Sequence, residues 1–341
     1  MTSPEMKRPP QPDFIIGGAP KCGTTSLHFI LDQHPEIAFP TDEVNYFDAD
    51  DPFNWPDLFF ERGGRLDYRD PSPENAETRD WYRAKYAALG DMALLGEDST
   101  RYLFSPMVAH RVKQRLPEAK VIFMLRDPVK RAYSEYWHAM KMMRVTASFE
   151  GALTALPQIV AGSTYAPHLQ QWIDVLGRDR VHIVLLEDFK TDRQAVMDGI
   201  ANFIGVAPFS LEGYELWFNK TSYPGKPKLM QWVNALVGRR VSRLRYMGHM
   251  RRNTGLREKL ANRLYQFYFH KVNPLLLTAD RPPEMKPETA RYLSRLLSDR
   301  NAGLDALLGR DLSEVWSSWS PATTPATATT TDDKDKSMAA Q

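Results

Sequence analysis

Residues 14–26, Phe14-Ile-Ile-Gly-Gly-Ala-Pro-Lys-Cys-Gly-Thr-Thr-Ser26, join a short apolar run to a tight loop and a helix start. Gly17, Gly18 and Gly23 let backbone N–H groups approach an anion closely. A helix beginning near Thr24 would aim its free N–H groups and positive dipole end at the same spot. Lys21 adds a full charge, and Thr24, Thr25 and Ser26 add hydroxyl donors of helix-capping type. Gly18 and Gly23 keep the GxxxxG spacing of a nucleotide-binding loop. The residue after Gly23 is Thr24, however, where such a loop carries lysine; here Lys21 stands two residues before Gly23, inside the loop. That placement points away from the β/γ-phosphates of ATP and towards a related anion with different charge placement. Cys22 reads as a small loop residue.

A second cluster follows a buried run, Lys120-Val-Ile-Phe-Met-Leu-Arg-Asp-Pro128. Asp127 is a good N-cap and Pro128 a good first helical residue. Arg126 therefore falls at the carboxyl end of a strand, where open α/β sheets bind ligands. Lys130 and Ser134 share the next helical face, with Arg131 beside it. An arginine and a hydroxyl so placed can hold a phosphate, although an Arg126–carboxylate pair is the commoner arrangement.

The elements that must position these residues can be read from the apolar pattern. Strands are expected at Phe14–Gly17, Glu36–Phe39, Met92–Glu97, Lys120–Leu125 and Val181–Leu186, and most are continuous apolar runs of the kind buried on both faces. Helices are expected at Thr25–His34, Thr78–Leu89, Pro106–Arg115, Pro128–Met143, Pro167–Leu176 and Arg193–Ile204. In the first, Leu27, Ile30, Leu31 and His34 form one stripe. This alternation predicts an α/β fold, a P-loop-like three-layer sandwich whose central parallel sheet of about five strands is flanked by helices.

The 341 residues are 43% hydrophobic, ordinary for a globular chain. With a formal charge of +2, any preference for anions must come from local placement of the 44 Lys and Arg residues. One cysteine excludes an internal disulfide, and the eight histidines show neither HxxxH nor HxH spacing, so no zinc site is expected. Residues 1–12 read as a flexible arm without a signal-peptide run, 13–319 as one domain, and 320–341 as a disordered Thr- and Ala-rich tail. No run reaches the roughly 18 apolar residues of a membrane span, and a cytoplasmic location is expected.

Taken together, Gly-Gly-Ala-Pro-Lys-Cys-Gly-Thr-Thr-Ser and Leu-Arg-Asp-Pro-Val-Lys-Arg-Ala-Tyr-Ser resemble the donor-binding pair of the sulfotransferases, closest to the heparan-sulfate-type domain and its bacterial relatives. Gly-Glu-Asp-Ser-Thr-Arg-Tyr-Leu (96–103), the run from Val181 to Phe189 and the run from Gly309 to Trp316 extend the similarity over residues 13–316. The resemblance implies transfer of a sulfuryl group from 3′-phosphoadenosine 5′-phosphosulfate to an acceptor hydroxyl on a glycan, lipid or small natural product. It implies that Lys21, Cys22, Gly23, Thr24, Thr25 and Ser26 bind the 5′-phosphosulfate, and that Arg126 and Ser134 bind the 3′-phosphate. No metal is required by this chemistry.

Glu43, in Pro40-Thr-Asp-Glu-Val-Asn-Tyr-Phe47, aligns with the glutamate base of the glycan-type branch, Asp42 being the runner-up. His138 is the alternative, because the small-molecule branch uses histidine. Glycan-modifying members often carry lysine where this chain has Asp98, which leaves the acceptor open; Arg101 is a candidate replacement for that charge. The loop 219–228 resembles a late basic segment over the 3′-phosphate, with Lys226 or Lys228 on the phosphate and Tyr223 against adenine. Residues 238–263 hold eight Arg and one Lys against one Glu. They read as a solvated helix face, a patch for an anionic acceptor such as a glycan, or a surface for acidic polymer or membrane. No specific nucleic-acid motif is present, and the oligomeric state is open.

Two other functions compete. A P-loop kinase or NTPase would use Leu185-Leu186-Glu187-Asp188 as its acidic strand end, but lacks the lysine after Gly23. A non-enzymatic binder of anionic polymers would depend on Arg239, Arg240, Arg251 and Arg252 rather than on Lys21.

Overall fold

The computed structural model describes residues 10–55, 60–62, 64–67, 72–90, 94–212, 222–238 and 256–319. Arg239, Arg240, Arg251 and Arg252, the C-terminal tail and most of the N-terminal arm lie outside them. The strands in chain order are β1 (Phe14–Gly18), β2 (Ile37–Ala38), β3 (Phe60–Arg62), β4 (Arg65–Asp67), β5 (Leu94–Asp98), β6 (Lys120–Leu125) and β7 (Val181–Leu185). Five of them form a parallel sheet in the order β2-β5-β1-β6-β7, while β3 and β4 pair as a separate antiparallel hairpin.

The helices through the sheet region are α1 (Thr24–Leu31), α2 (Ala76–Ala87), α3 (Val108–Arg115), α4 (Pro128–Lys141), α5 (Phe149–Ala155), α6 (Gln158–Ala161), α7 (Ala166–Leu176), α8 (Leu186–Thr191) and α9 (Arg193–Ile204). Beyond them come α10 (Pro227–Val233), α11 (Leu256–Phe267), α12 (Asn273–Leu276), α13 (Pro287–Arg300) and α14 (Leu304–Leu308).

β6 and α9 occupy the expected residues. β2 keeps only two of its expected four residues, and α3 starts at Val108 rather than Pro106. β5 starts at Leu94; Met92, where it was expected to begin, lies outside the described residues. The hairpin and the short helices α5, α6 and α8 escape a periodicity reading because each is too brief to show a period.

The main core lies about the sheet. In β6, Val121 to Leu125 are fully buried, which is why that strand reads as an unbroken apolar run. Phe123 meets Trp172 of α7 edge to face at 5.2 Å. A Cβ on Gly17 would stand 2.6 Å from the Phe123 ring, so Gly17 is there for packing against β6 rather than for an anion. A second core joins α4 to α5, α10 and α13 through Tyr136, Trp137, Met140, Phe149, Met230 and Leu293. It fixes the helix that carries Ser134 and His138.

Along the sheet the chain moves from β1 towards β2 and β5, then crosses to β6 and β7. The order reverses beside β1, so a crevice opens at the carboxyl ends of β1 and β6, the place where such sheets bind ligands.

Candidate active site

The loop after β1 is held open by its neighbours. Gly18 has φ 147°, and a Cβ there would come within 2.7 Å of the Thr100 carbonyl oxygen, so only glycine fits. Lys21 has φ 71°, a left-handed conformation costing of order 1–3 kcal/mol for a non-glycine residue. Two arginines fix the loop. Arg131 donates from Nε to the Pro20 carbonyl at 3.1 Å, and Arg126 donates from Nη1 to the Lys21 carbonyl at 3.4 Å. Below them Cys22 is buried, its Sγ 3.8 Å from the Tyr165 hydroxyl, and burial pushes its thiol up to about 11. Its side chain packs in the interior beneath the loop.

At the start of α1 the cap is Gly23 itself, with φ 94° and no side-chain cap. The hydroxyls of Thr24, Thr25 and Ser26 therefore do not take the capping role their types suggested. Ser26 N–H turns back to the Gly23 carbonyl at 3.0 Å. The first N–H groups of a helix have no intrahelical acceptor, so those of Thr24 and Thr25 face the loop.

Arg126 follows β6 directly. Asp127 accepts hydrogen bonds from the Val129 and Lys130 N–H groups at 3.0 and 3.1 Å, with Pro128 opening α4, so the expected cap is present. Ser134 is half-buried on α4. Arg131, expected beside its face, instead points inward. It pairs with Glu135 at 3.3 Å and donates to the Gln158 and Ile159 carbonyls at 3.4 and 3.3 Å. Burial opposes ionisation of Glu135, but Arg131 and the neighbouring His138, Arg101 and Lys21 outweigh it and hold the carboxyl at about 2.

Lys21 Nζ lies 3.5 Å from His138 Nδ1, which brings together two residues 117 positions apart. Burial lowers the Lys21 ammonium below the ordinary lysine value against the pull of Glu135, and Lys141, Arg131 and Arg126 lower it further.

Glu43 stands over the end of β5. Its carboxylate accepts from Asn45 Nδ2 and Thr100 Oγ1, each at 3.4 Å. Glu43 is exposed to solvent, with protein close around its carboxylate. That enclosure raises its pKa, the Asp98 carboxylate adds to the rise, and Asn45, Arg101 and Thr100 oppose it. Asp42 is exposed. Asp98 is buried, with His28 Nδ1 at 3.2 Å but off the line of a hydrogen bond. Arg101 donates to the Asn54 carbonyl at 3.1 Å and lies over the Trp55 ring.

The residues that hold the Glu43 segment were not foreseen. Four successive N–H groups are anchored at the end of β5. Val44 donates to the Asp98 carbonyl at 3.0 Å and Asn45 to Ser99 Oγ at 2.9 Å, while Tyr46 and Phe47 both donate to the Tyr102 hydroxyl oxygen, at 2.8 and 2.9 Å. Beneath them the buried Glu97 carboxylate accepts from Tyr82, Tyr86 and Ser99 hydroxyls at 2.7, 2.8 and 2.8 Å. Burial pushes Glu97 up, and the hydroxyls of Tyr102, Tyr82, Tyr86 and Ser99 pull the other way. The only hint in the sequence is that Ser99 and Tyr102 follow Glu97 closely.

In the late loop, Tyr223 pairs with Ala279 through two backbone hydrogen bonds of 2.8 and 3.0 Å, and its ring meets Trp137 edge to face at 6.2 Å. It therefore leans on α4. Lys226 and Lys228 are exposed at the start of α10. Glu187 accepts from Trp316 Nε1 at 3.0 Å and from the Asp127 N–H at 3.3 Å, and Asp188 pairs with Arg310 at 2.6 Å. This acidic pair serves to bind the C-terminal segment. A cavity of about 360 Å³, bounded by Tyr46, Phe47, Arg79, Tyr82, Arg83 and Arg115, contains neither Lys21 nor Arg126 and is separate from the crevice.

The sequence profile described as the sulfotransferase family matches residues 12–210. A human bifunctional heparan sulfate N-deacetylase/N-sulfotransferase 2 is 29% identical over 212 residues, covering 58% of this chain and 22% of that relative. A mouse N-deacetylase/N-sulfotransferase 4 is 26% identical over 331 residues, covering 90% and 31%. This chain thus spans under a third of the length of either. A sulfotransferase crystal structure from Alicyclobacillus acidocaldarius superposes with a TM-score of 0.58 at 25% identity, covering 89% of this chain and 98% of that one.

Proposed function

The chain belongs to the sulfotransferase family, and we propose that it transfers a sulfuryl group from 3′-phosphoadenosine 5′-phosphosulfate to an acceptor hydroxyl. The observation that carries this reading is the junction of Lys21 and Arg126 across the mouths of β1 and β6, closed by the 3.4 Å contact of Arg126 with the Lys21 carbonyl. Two cations on adjacent strand ends suit a nucleotide charged at both its 5′ and 3′ positions.

In this mechanism Lys21 and the Gly23–Ser26 amides and hydroxyls would hold the 5′-phosphosulfate, and Arg126 with Ser134 the 3′-phosphate. Tyr223 and Lys226 or Lys228 would close over the nucleotide. The acceptor oxygen attacks sulfur as the bond from sulfur to the bridging phosphate oxygen breaks. The acceptor proton passes to Glu43, and adenosine 3′,5′-bisphosphate departs with its new charge facing Lys21. Most of the acceleration comes from positioning and fixed charge. The upward shift of Glu43 makes its carboxylate a stronger base than an ordinary glutamate.

A second reading makes His138 the base, since its 3.5 Å approach to Lys21 places an imidazole at the donor loop. In-line displacement places the base and the leaving group on opposite sides of sulfur. A side chain beside the cation that meets the leaving oxygen is therefore badly placed for the acceptor, and Glu43 is preferred. The acceptor could be a glycan, a lipid or a small natural product.

Calorimetry tests the donor. Magnesium-independent binding of adenosine 3′,5′-bisphosphate, lost in Lys21→Ala, supports the proposal, whereas preference for Mg·ATP would replace it with the kinase reading. A screen with sulfur-labelled donor across acceptor classes then identifies the acceptor.

A further inference from the structure

Among the described residues eleven large apolar side chains are exposed, and eight of them fall between Leu229 and Leu275. On α11, Leu256, Leu260, Leu264 and Phe267 are 87%, 61%, 60% and 62% exposed. At 100° per residue these positions lie within an arc of about 80°, a single stripe along the helix. A stripe of this kind normally faces a core; here it faces outward. Lys259 and Arg263 are also exposed and lie along one flank of the stripe, with His270 and Lys271 exposed just beyond its end. The surrounding sequence is strongly biased. Between Lys226 and Leu275 it carries twelve Lys or Arg and one acidic residue, Glu258, in a chain whose total formal charge is only +2.

We propose that α11 docks this protein on an anionic lipid bilayer, its leucine and phenylalanine stripe entering the acyl boundary and its basic flank meeting phosphate headgroups. An apolar stripe with a basic flank is the pattern of a helix lying in the membrane interface. Lys and Arg stems can follow the apolar surface while their charges reach the headgroups. No helix among the described residues is long and apolar enough to cross a membrane, so the contact is in-plane.

Two other occupants fit less well. An anionic polymer would be met by charge alone and leaves four exposed apolar side chains unused. A second copy would cover the stripe, but antiparallel two-fold pairing sets one basic flank against its equal, and the surrounding stretch has a single acid to offset it. The proposal uses none of the sulfuryl-transfer chemistry, so either can fail without the other.

The test is co-sedimentation of the full chain with vesicles of phosphatidylglycerol and phosphatidylcholine, and with phosphatidylcholine alone. Binding should require the anionic lipid and weaken with added salt. Leu260→Ser/Leu264→Ser and Lys259→Glu/Arg263→Glu should each lower the partition coefficient about tenfold or more. Both variants should keep the wild-type Tm and affinity for adenosine 3′,5′-bisphosphate, because the changed side chains are exposed and away from the crevice. Failure to bind anionic vesicles overturns the proposal. So does binding that survives the serine substitutions intact, which would mark a plain polyanion patch, and so does a dimer dissolved by those substitutions with no vesicle binding.

Discussion

The phenolic oxygen of Tyr102 accepts the backbone N–H of Tyr46 at 2.8 Å and also that of Phe47 at 2.9 Å. One hydroxyl thus uses both acceptor positions on the segment that carries Glu43, while its proton is drawn to Glu97. Tyr102→Phe removes that acceptor and leaves two buried N–H groups unsatisfied, at about 1–3 kcal/mol each. Misplacing the base should lower kcat by about tenfold to 10²-fold. Calorimetric affinity for adenosine 3′,5′-bisphosphate should stay unchanged, because the Lys21 loop is held by other residues. Equal losses in both would mean general unfolding instead.

Glu43→Gln should lower kcat by about 10²- to 10⁴-fold with the donor saturating. In the wild type, the acid limb of the rate profile should lie above the ordinary glutamate range, because enclosure and Asp98 both raise Glu43. Asp98→Asn removes the neighbouring negative charge, so that limb should move to lower pH. Normal turnover in Glu43→Gln would pass the role to His138, which His138→Gln then checks.

Glu135 gives a stability prediction with a definite sign. Its folded pKa, about 2, lies below the unfolded value near 4.5. The ionised form therefore stabilises the fold above about pH 4.5, by roughly 3 kcal/mol, and this contribution disappears as pH falls towards 2. Glu135→Gln should be much less stable than wild type at pH 7, with Arg131 left buried and unpaired. The gap between their denaturant midpoints should narrow as pH falls from 4.5 to 2.

Gly18→Ala places a methyl 2.7 Å from the Thr100 carbonyl oxygen at φ 147°. The loop must shift, so donor affinity should fall by about tenfold or more. Gly64→Ala is a control for glycine substitution in itself, since its φ of 76° is also positive but its Cβ meets nothing within 4 Å. It should leave donor affinity unchanged in the same titration.

The sheet and the loop after β1 were legible in the sequence because both depend on local pattern. β6 is an unbroken apolar run, and Asp127-Pro128 marks the start of α4 unambiguously. What could not be read depends on side chains meeting across distance. Arg131 reads as lying beside the Lys130–Ser134 face, but its direction is set by Glu135 one turn on and by Pro20, 111 residues away. Glu97 stood within a recognised motif without a role, since its hydroxyl partners Tyr82 and Tyr86 come from α2. The glycines divided in the same way: spacing placed Gly17 and Gly18 together, yet one answers to the Phe123 ring and the other to the loop. The outward stripe on α11 has the periodicity of a core helix, and only its exposure separates the two.

Ser318 donates to the Asp127 carboxylate at 2.5 Å, from 191 residues further along the chain. Trp316 secures Glu187 beside it. The capping residue of α4, adjacent to Arg126, thus gains its last partners from the end of the folded body. During synthesis, β1, β6 and α4 leave the ribosome long before those partners exist. A nascent chain that ends ahead of Trp316 carries the whole loop after β1 and still lacks the tie that finishes the Arg126 corner.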